Sequence, residues 1–160
     1  MFAVCLVVAF LSDVFDGIIA RRLGIVTLGL RRLDSIADTI FYVAVIFAAW
    51  WLYPTAITDR MVPLTVLAGL EVTRYVFDLA KFGREASYHM WSSKARGVTL
   101  FVAFFSLLTL GSSGLSVSIA IYVGIVADIE GLAISIVLSE WKTDVPTLFH
   151  AFSLQRAERL

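Results

Sequence analysis

The stretch that decides the fold is residues 13–38, DVFDGIIARRLGIVTLGLRRLDSIAD, which contains four aspartates and four arginines. The run before it, FAVCLVVAF at residues 2–10, is strongly apolar, and so is the run that follows it, at residues 40–51. Ionisable groups at the edge of hydrocarbon are costly, so their presence between two membrane helices indicates function. The stretch is therefore the candidate active site of a helical membrane protein.

The composition is that of a membrane protein. Of the 160 residues, 59% are hydrophobic and only 16% are charged, and the mean hydropathy is +0.87. Soluble domains carry about 25% charged residues. The 13 basic and 13 acidic residues cancel, and we expect no nucleic-acid partner. Cys5 is the single cysteine of the sequence, so no internal disulfide can form. It lies in an apolar run.

The apolar runs predict an all-α, polytopic membrane helical bundle with five transmembrane helices. Each run is near the ~20 residues that a bilayer core requires. No internal repeat or linker separates the runs, so residues 1–160 are predicted to form a single domain. The predicted spans are residues 1–20, 34–53, 61–80, 97–111 and 114–141.

Basic residues predict the orientation of the bundle in the membrane. They cluster in the first and third connections and in the tail, whereas the second connection has only Arg60 and the fourth has none. By the positive-inside rule the clustered segments are cytoplasmic, which puts the candidate active site on the cytoplasmic side and the N-terminus outside. Because the chain opens without a basic segment and reaches Asp13 after 12 residues, we expect sequence to be missing upstream.

The first acidic pair belongs to a continuous helical stripe. Asp13 and Asp16 share one face with Gly17, Ala20 and Arg21 at helical spacing. Carboxylates are the hard oxygen ligands that Mg²⁺ and Mn²⁺ prefer, and small residues let a large ligand approach the backbone. A guanidinium group matches the geometry of phosphate. The stripe therefore suits a metal-bound phosphate ligand.

The second acidic pair, Asp34 and Asp38, shares one face of the next helix. A short connection makes the two helices antiparallel neighbours, so all four carboxylates lie at one membrane depth. Crowded carboxylates repel one another, and bound cations relieve that repulsion. The alternative is an ordinary helix end with solvated charges.

These residues resemble the signature of the CDP-alcohol phosphatidyltransferases, D-x2-D-G-x2-A-R-x8-G-x3-D-x3-D. Seven of its eight fixed positions are met with the spacing intact. The exception is the second glycine, whose position is Leu30, while Gly29 lies one residue earlier. The matching residues are Asp13, Asp16, Gly17, Ala20, Arg21, Asp34 and Asp38.

The resemblance implies an enzyme that transfers a phosphatidyl group from CDP-diacylglycerol to an alcohol acceptor and releases CMP. It implies two divalent ions, Mg²⁺ or Mn²⁺, with Asp38 also acting as the base that deprotonates the acceptor hydroxyl. Gly17, Ala20 and Arg21 would line the CDP site. Family members have six spans, so we expect the first of them to be missing here; the acceptor stays open, and a homodimer is a candidate assembly. The implied metal ligands are Asp13, Asp16, Asp34 and Asp38.

Two other functions stay open at this point. One is an impaired or partial family member, because Leu30 lies one turn before Asp34, where its side chain would crowd the nucleotide. The other is a small membrane cation or proton transporter with acidic residues as a relay. A transporter would spread its acids through the midplane, whereas here four cluster at one surface beside arginines, which favours phosphate chemistry.

Further charges lie within the third and fifth spans. Glu71, Arg74 and Asp78 share one face, and intramembrane charges of opposite sign usually pair. Arg74 is therefore either part of a structural ion pair or a ligand of an acceptor phosphate. In the fifth span, Asp128 and Glu130 point to different faces, so at least one of them must reach a polar interior or snorkel to the inner surface. We expect a structural polar contact for Glu130.

Overall fold

The computed structural model describes residues 2–23 and 28–158, with side chains for residues 3–12, 15, 22, 36–37 and 40–156. Apart from one bridge between Ser87 and Thr143, the regular structure in these residues is helical, which confirms the all-α prediction. The helices are α1 (Phe2–Leu23), α2 (Leu28–Leu52), α3 (Pro54–Thr58), α4 (Met61–Phe82), α5 (Trp91–Leu110), α6 (Leu115–Val137) and α7 (Leu148–Glu158).

The five predicted spans fall on α1, α2, α4, α5 and α6. Within the described ranges, α5 and α6 are the two helices long and apolar enough to cross a membrane, so the five-span count stays a prediction. Helix α5 begins at Trp91, earlier than the predicted span at residue 97. Its first turns are polar because they carry Lys94 and Arg96, whose side chains contact the Trp91 ring and two carboxylates.

The chain forms two compact units. The first comprises Met1–Asp59 with Phe101–Ser113, and the second comprises Arg60–Leu100 with Gly114–Leu160. In the first unit, aromatic side chains join three helices. The Phe10 ring of α1 stacks on Phe101 of α5 with centroids 4.4 Å apart, and Tyr42 of α2 lies 6.4 Å from Phe104 of α5. We call these four residues the aromatic layer.

In the second unit, α4 and α6 run in the same direction, since contacts between them advance together along both helices. Near the C-terminal ends, Lys81 Nζ donates to the carbonyl oxygens of Ser135 and Ile136, which the end of α6 leaves unpaired. The contacts, from the N-terminal to the C-terminal end, pair Arg60 with Ser118, Arg74 with Asp128, and Lys81 with Ser135.

The tail, which follows α6, packs against the second unit at the end where α4 and α6 terminate. A buried apolar cluster joins the connection before α5, the end of α6 and the tail. Backbone hydrogen bonds from Asp144 to Ser87 and from Trp91 to Pro146 fix the two connections to each other. The cluster comprises Tyr88, Met90, Ile134, Leu138, Val145 and Ala151.

Candidate active site

The signature residues lie on two consecutive helices of the first unit. Helix α1 carries the first five of them and α2 carries the two last aspartates. The backbone therefore has the helical spacing on which the two predicted acidic faces depend. The side chains of these residues lie outside the described part of the chain, so their roles stay predictions. They are Asp13, Asp16, Gly17, Ala20, Arg21, Asp34 and Asp38.

The aromatic layer gives the relative position of the two acidic segments, the one in α1 and the one in α2. Asp13 follows Phe10 by about one helical turn in α1, and Asp38 precedes Tyr42 by about one turn in α2. Phe10 and Tyr42 contact side chains of α5 that are themselves one turn apart. The backbones of both acidic segments thus lie on the same side of the layer, toward the end of α1 and the start of α2.

The donor chemistry of the signature fits divalent metal. Its four acids are all carboxylates, which bind Mg²⁺ and Mn²⁺ in preference to softer ions. Among the side chains that the structure describes, no group of three or more His, Cys, Asp or Glu residues forms a metal site. The metal prediction therefore rests on Asp13, Asp16, Asp34 and Asp38.

A separate charged cluster lies in the second unit, where three helices meet. The side chain of Asp128 in α6 is fully buried, and its Oδ1 accepts hydrogen bonds from Arg74 Nη1 of α4 at 3.3 Å and from Arg96 Nη1 of α5 at 3.1 Å. A buried carboxylate requires such partners because desolvation of an unpaired charge is costly. Asp128 therefore fastens α4 and α5 to α6.

Two further carboxylates complete this cluster. Arg96 Nη2 donates to Glu71 Oε2 at 2.9 Å, and Arg74 Nε lies 3.9 Å from Asp78 Oδ2. The structure thus confirms that the charges of the third predicted span pair with opposite charges, and it adds Arg96 and Asp128 to the set. Both arginines remain about one fifth exposed.

Gly131 makes room for Arg74. A Cβ atom at this position would lie 2.9 Å from Arg74 Nε and 3.0 Å from its Cζ. The guanidinium group passes directly over the backbone of α6 at this glycine and reaches Asp128 one turn earlier. The charged cluster therefore requires a residue without a side chain at position 131.

We expect Gly131→Ala to destabilise the second unit. Overpacking against Arg74, which Asp128 holds in place, costs about 1–3 kcal/mol, whereas the helix gains about 1 kcal/mol from alanine. The matched control is Gly69→Ala in α4, where a Cβ would have no atom within 4 Å. Denaturation in mixed micelles should show a loss for the first and a gain for the second; equal gains would contradict this packing.

Tyr88 is a buried polar group that the sequence did not single out. Its hydroxyl lies 2.9 Å from Ser135 Oγ, which in turn donates to the carbonyl oxygen of Gly131. Burial raises the pKa of Tyr88 above its ordinary value, and the nearby Asp78 carboxylate adds to the rise. The neutral hydroxyl therefore joins the connection before α5 to α6 across the physiological pH range.

Glu130, for which we expected a polar contact, accepts a hydrogen bond from the backbone N–H of Leu148 at 3.3 Å. Its carboxylate thus binds one of the N–H groups that the start of α7 leaves free. The contact confirms a structural role for Glu130 and joins the tail to α6.

Comparison with known proteins gives one family. The family model described as CDP-alcohol phosphatidyltransferase matches residues 1–137, a range that takes in all the signature residues. No similar curated protein and no similar solved structure was found.

Proposed function

Because the chain belongs to the CDP-alcohol phosphatidyltransferase family, we propose that it transfers a phosphatidyl group from CDP-diacylglycerol to an alcohol acceptor and releases CMP. The family supports the general reaction, which uses a CDP-alcohol and an alcohol acceptor. Its members are generally metal-dependent and typically membrane-bound, and α5 and α6 are suited to a membrane. We treat residues 1–160 as one domain of this type, with its active site on the cytoplasmic side.

We assign metal binding to the four carboxylates of the signature and substrate contacts to the small residues and the arginine beside them. Two divalent ions, when bound, neutralise negative charge on the pyrophosphate of the substrate. Gly17 and Ala20 leave space for the nucleotide, and Arg21 binds phosphate oxygen through its guanidinium group. The proposed metal ligands are Asp13, Asp16, Asp34 and Asp38.

Asp38 is the proposed base for the transfer step. Its carboxylate accepts the proton of the acceptor hydroxyl as the hydroxyl oxygen attacks the phosphorus of the phosphatidyl group. The bond from that phosphorus to the oxygen of the CMP phosphate breaks, and CMP leaves with the electron pair. The products are the phosphatidyl alcohol and CMP.

The observation that carries this proposal is the signature itself, in which seven of eight positions match at unbroken spacing. The aromatic layer supports it, because it brings the backbone of both acidic segments to the same side of one set of contacts. For the transporter alternative the acids would have to be spread across the membrane as a relay, whereas Glu71, Asp78 and Asp128 of α4 and α6 pair with arginines.

Metal-dependent CMP release tests this function. Purified protein in liposomes is expected to release CMP from CDP-diacylglycerol when an acceptor alcohol and Mg²⁺ or Mn²⁺ are present, and to stop when a chelator removes the metal. Restored activity after metal is added back excludes damage by the chelator. Cation or proton flux through the liposomes without CMP release would instead support a transporter.

Leu30 is the residue that makes an impaired family member the alternative to an active enzyme. Helical spacing predicts its isobutyl group one turn before Asp34, on the acidic face where the signature has a glycine. We expect Leu30→Gly to lower the KM for CDP-diacylglycerol, because the smaller residue leaves more room for the nucleotide.

The matched control for this prediction is Leu33→Gly. It makes the same change to helix propensity, about 1 kcal/mol, outside the fixed positions of the signature. If the KM is unchanged in Leu30→Gly, or falls equally in both variants, Leu30 does not crowd the nucleotide.

A further inference from the structure

Helix α7 lies alongside the last two turns of α6 and points in the same direction. At its start, Leu148 N–H donates to Glu130 Oε1 at 3.3 Å, and near its end Gln155 Nε2 donates to the carbonyl oxygen of Val137 at 3.0 Å. The two contacts are separated by the same number of residues in both helices, which is about 10 Å of helix. The tail therefore returns beside α6 after α6 has ended.

One face of α7 is fixed to the second unit. Ala151 is completely buried, and Leu148 and Leu154 pack against the apolar cluster at the end of α6. These residues recur at i, i+3 and i+6, so they form the inward stripe of the helix. Together with the two hydrogen bonds to α6, this packing fixes which face of α7 is buried and which is exposed.

The opposite face of α7 also carries large apolar side chains, although nothing in the described chain covers them. Phe149 is 85% exposed and Phe152 is 51% exposed, and the polar residues His150 and Ser153 beside them are exposed as well. Arg156, at the same helical spacing as the two phenylalanines, is exposed too. We call Phe149, Phe152 and Arg156 the outer face of α7. Two exposed phenylalanines side by side, followed by a cation, indicate an apolar partner with a polar or anionic boundary.

The neighbouring surface of α6 indicates what that partner is. Ile129 and Ile136, in the same two turns that α7 accompanies, are 52% and 58% exposed. Since α6 is apolar and long enough to cross a membrane, its exposed apolar surface extends to its last turn. The outer face of α7 lies at the same height as this surface.

The residues beside the end of α6 include lysines and a tryptophan, as is typical of the boundary between membrane and water. Lys81 binds the last carbonyl oxygens of α6. Trp91, whose backbone N–H binds the Pro146 carbonyl oxygen just before α7, is 66% exposed and lies under the Lys94 ammonium at 4.3 Å. Tryptophan and lysine are enriched where hydrocarbon meets headgroups.

We infer that the outer face of α7 is inserted in the interfacial layer of the lipid bilayer. Phe149 and Phe152 lie at the level where acyl chains meet headgroups, and Arg156 faces lipid phosphate. The exposed area of the two rings is roughly 300 Å², well below the ~800 Å² per partner of a stable protein interface, which favours lipid over a second copy. The helix lies beyond the residues matched by the family model.

Depth-dependent quenching tests the inference on the full chain. In a Cys5→Ser background, Phe149→Cys is labelled with an environment-sensitive fluorophore, and the protein is reconstituted in liposomes containing lipids brominated near the headgroup. The control is Glu140→Cys, an exposed position after the end of α6. We expect a blue-shifted, lipid-quenched signal at position 149 and an iodide-quenched signal at position 140.

Two results would overturn the inference. One is iodide quenching at position 149 equal to that at position 140, which would place the outer face in water. The other is a disulfide between two copies of the unlabelled Phe149→Cys variant with no quenching by lipid, which would make the face a dimer contact. Phe152→Cys gives a second reading on the same face. CMP release is measured separately, so loss of the proposed activity and failure of the lipid contact are distinguishable.

Discussion

Asp38→Asn is expected to slow CMP release by about 10²–10⁴-fold, the usual contribution of a general base. The amide keeps the size of the carboxylate but can no longer accept the proton of the acceptor hydroxyl. Initial rates of CMP release from CDP-diacylglycerol, at saturating acceptor and over a range of Mn²⁺ concentrations, measure the effect. High Mn²⁺ should not restore the rate, because added metal replaces lost affinity for metal but does not replace a base.

The matched control is Asp59→Asn. Asp59 is an exposed aspartate in the same unit, at the end of α3 and outside the signature, so its loss should leave the rate unchanged. Asp34→Asn separates the two proposed roles, since a residue that only binds metal should be rescued in part by more Mn²⁺. Retained activity in Asp38→Asn would remove this residue as the base.

Asp128→Asn is expected to lower the free energy of unfolding by about 3 kcal/mol. Removing one partner of a buried ion pair costs about 3–5 kcal/mol, and the lower end applies because both arginines are only partly buried. Arg74 and Arg96 would then face each other without the carboxylate that both now bind. Denaturation of the purified protein in mixed micelles measures the change.

Glu71→Gln is the control for this second prediction. Glu71 binds the same Arg96, but its side chain is 56% exposed, and pairs of that kind contribute about 0–1 kcal/mol. The expected order is therefore a large loss for Asp128→Asn and a small one for Glu71→Gln. Equal losses would mean that Asp128 does not fasten the three helices.

Local patterns in the sequence predicted the helices well. The spacing of Asp13, Asp16, Asp34 and Asp38 requires two consecutive helices, and the structure has α1 and α2 there. Helix α5 begins at Trp91, before the predicted span at residues 97–111. Hydropathy follows the apolar run, whereas the helix begins in polar turns whose Lys94 and Arg96 side chains contact the Trp91 ring and the Asp128 carboxylate.

Contacts between distant segments could not be predicted in the same way. Arg96 and Asp128 are 32 residues apart, and no periodicity relates them. Gly131 resembles any other small residue of a membrane helix until Arg74 is seen to pass over it. For the candidate site, the spacing and the resemblance indicated the residues and their proposed roles, which the variants above are designed to test.

The central claim is most directly tested by measuring CMP and newly formed phospholipid together. Reconstituted protein receives CDP-diacylglycerol, Mg²⁺ or Mn²⁺, and in turn glycerol phosphate, inositol phosphate or serine. We predict that an acceptor alcohol gives CMP and the matching phosphatidyl product in equal amounts, and that Asp38→Asn slows the formation of both by about 10²–10⁴-fold. CMP formed at the same rate without an acceptor, or a phosphatidyl product formed equally well by Asp38→Asn, would contradict the account.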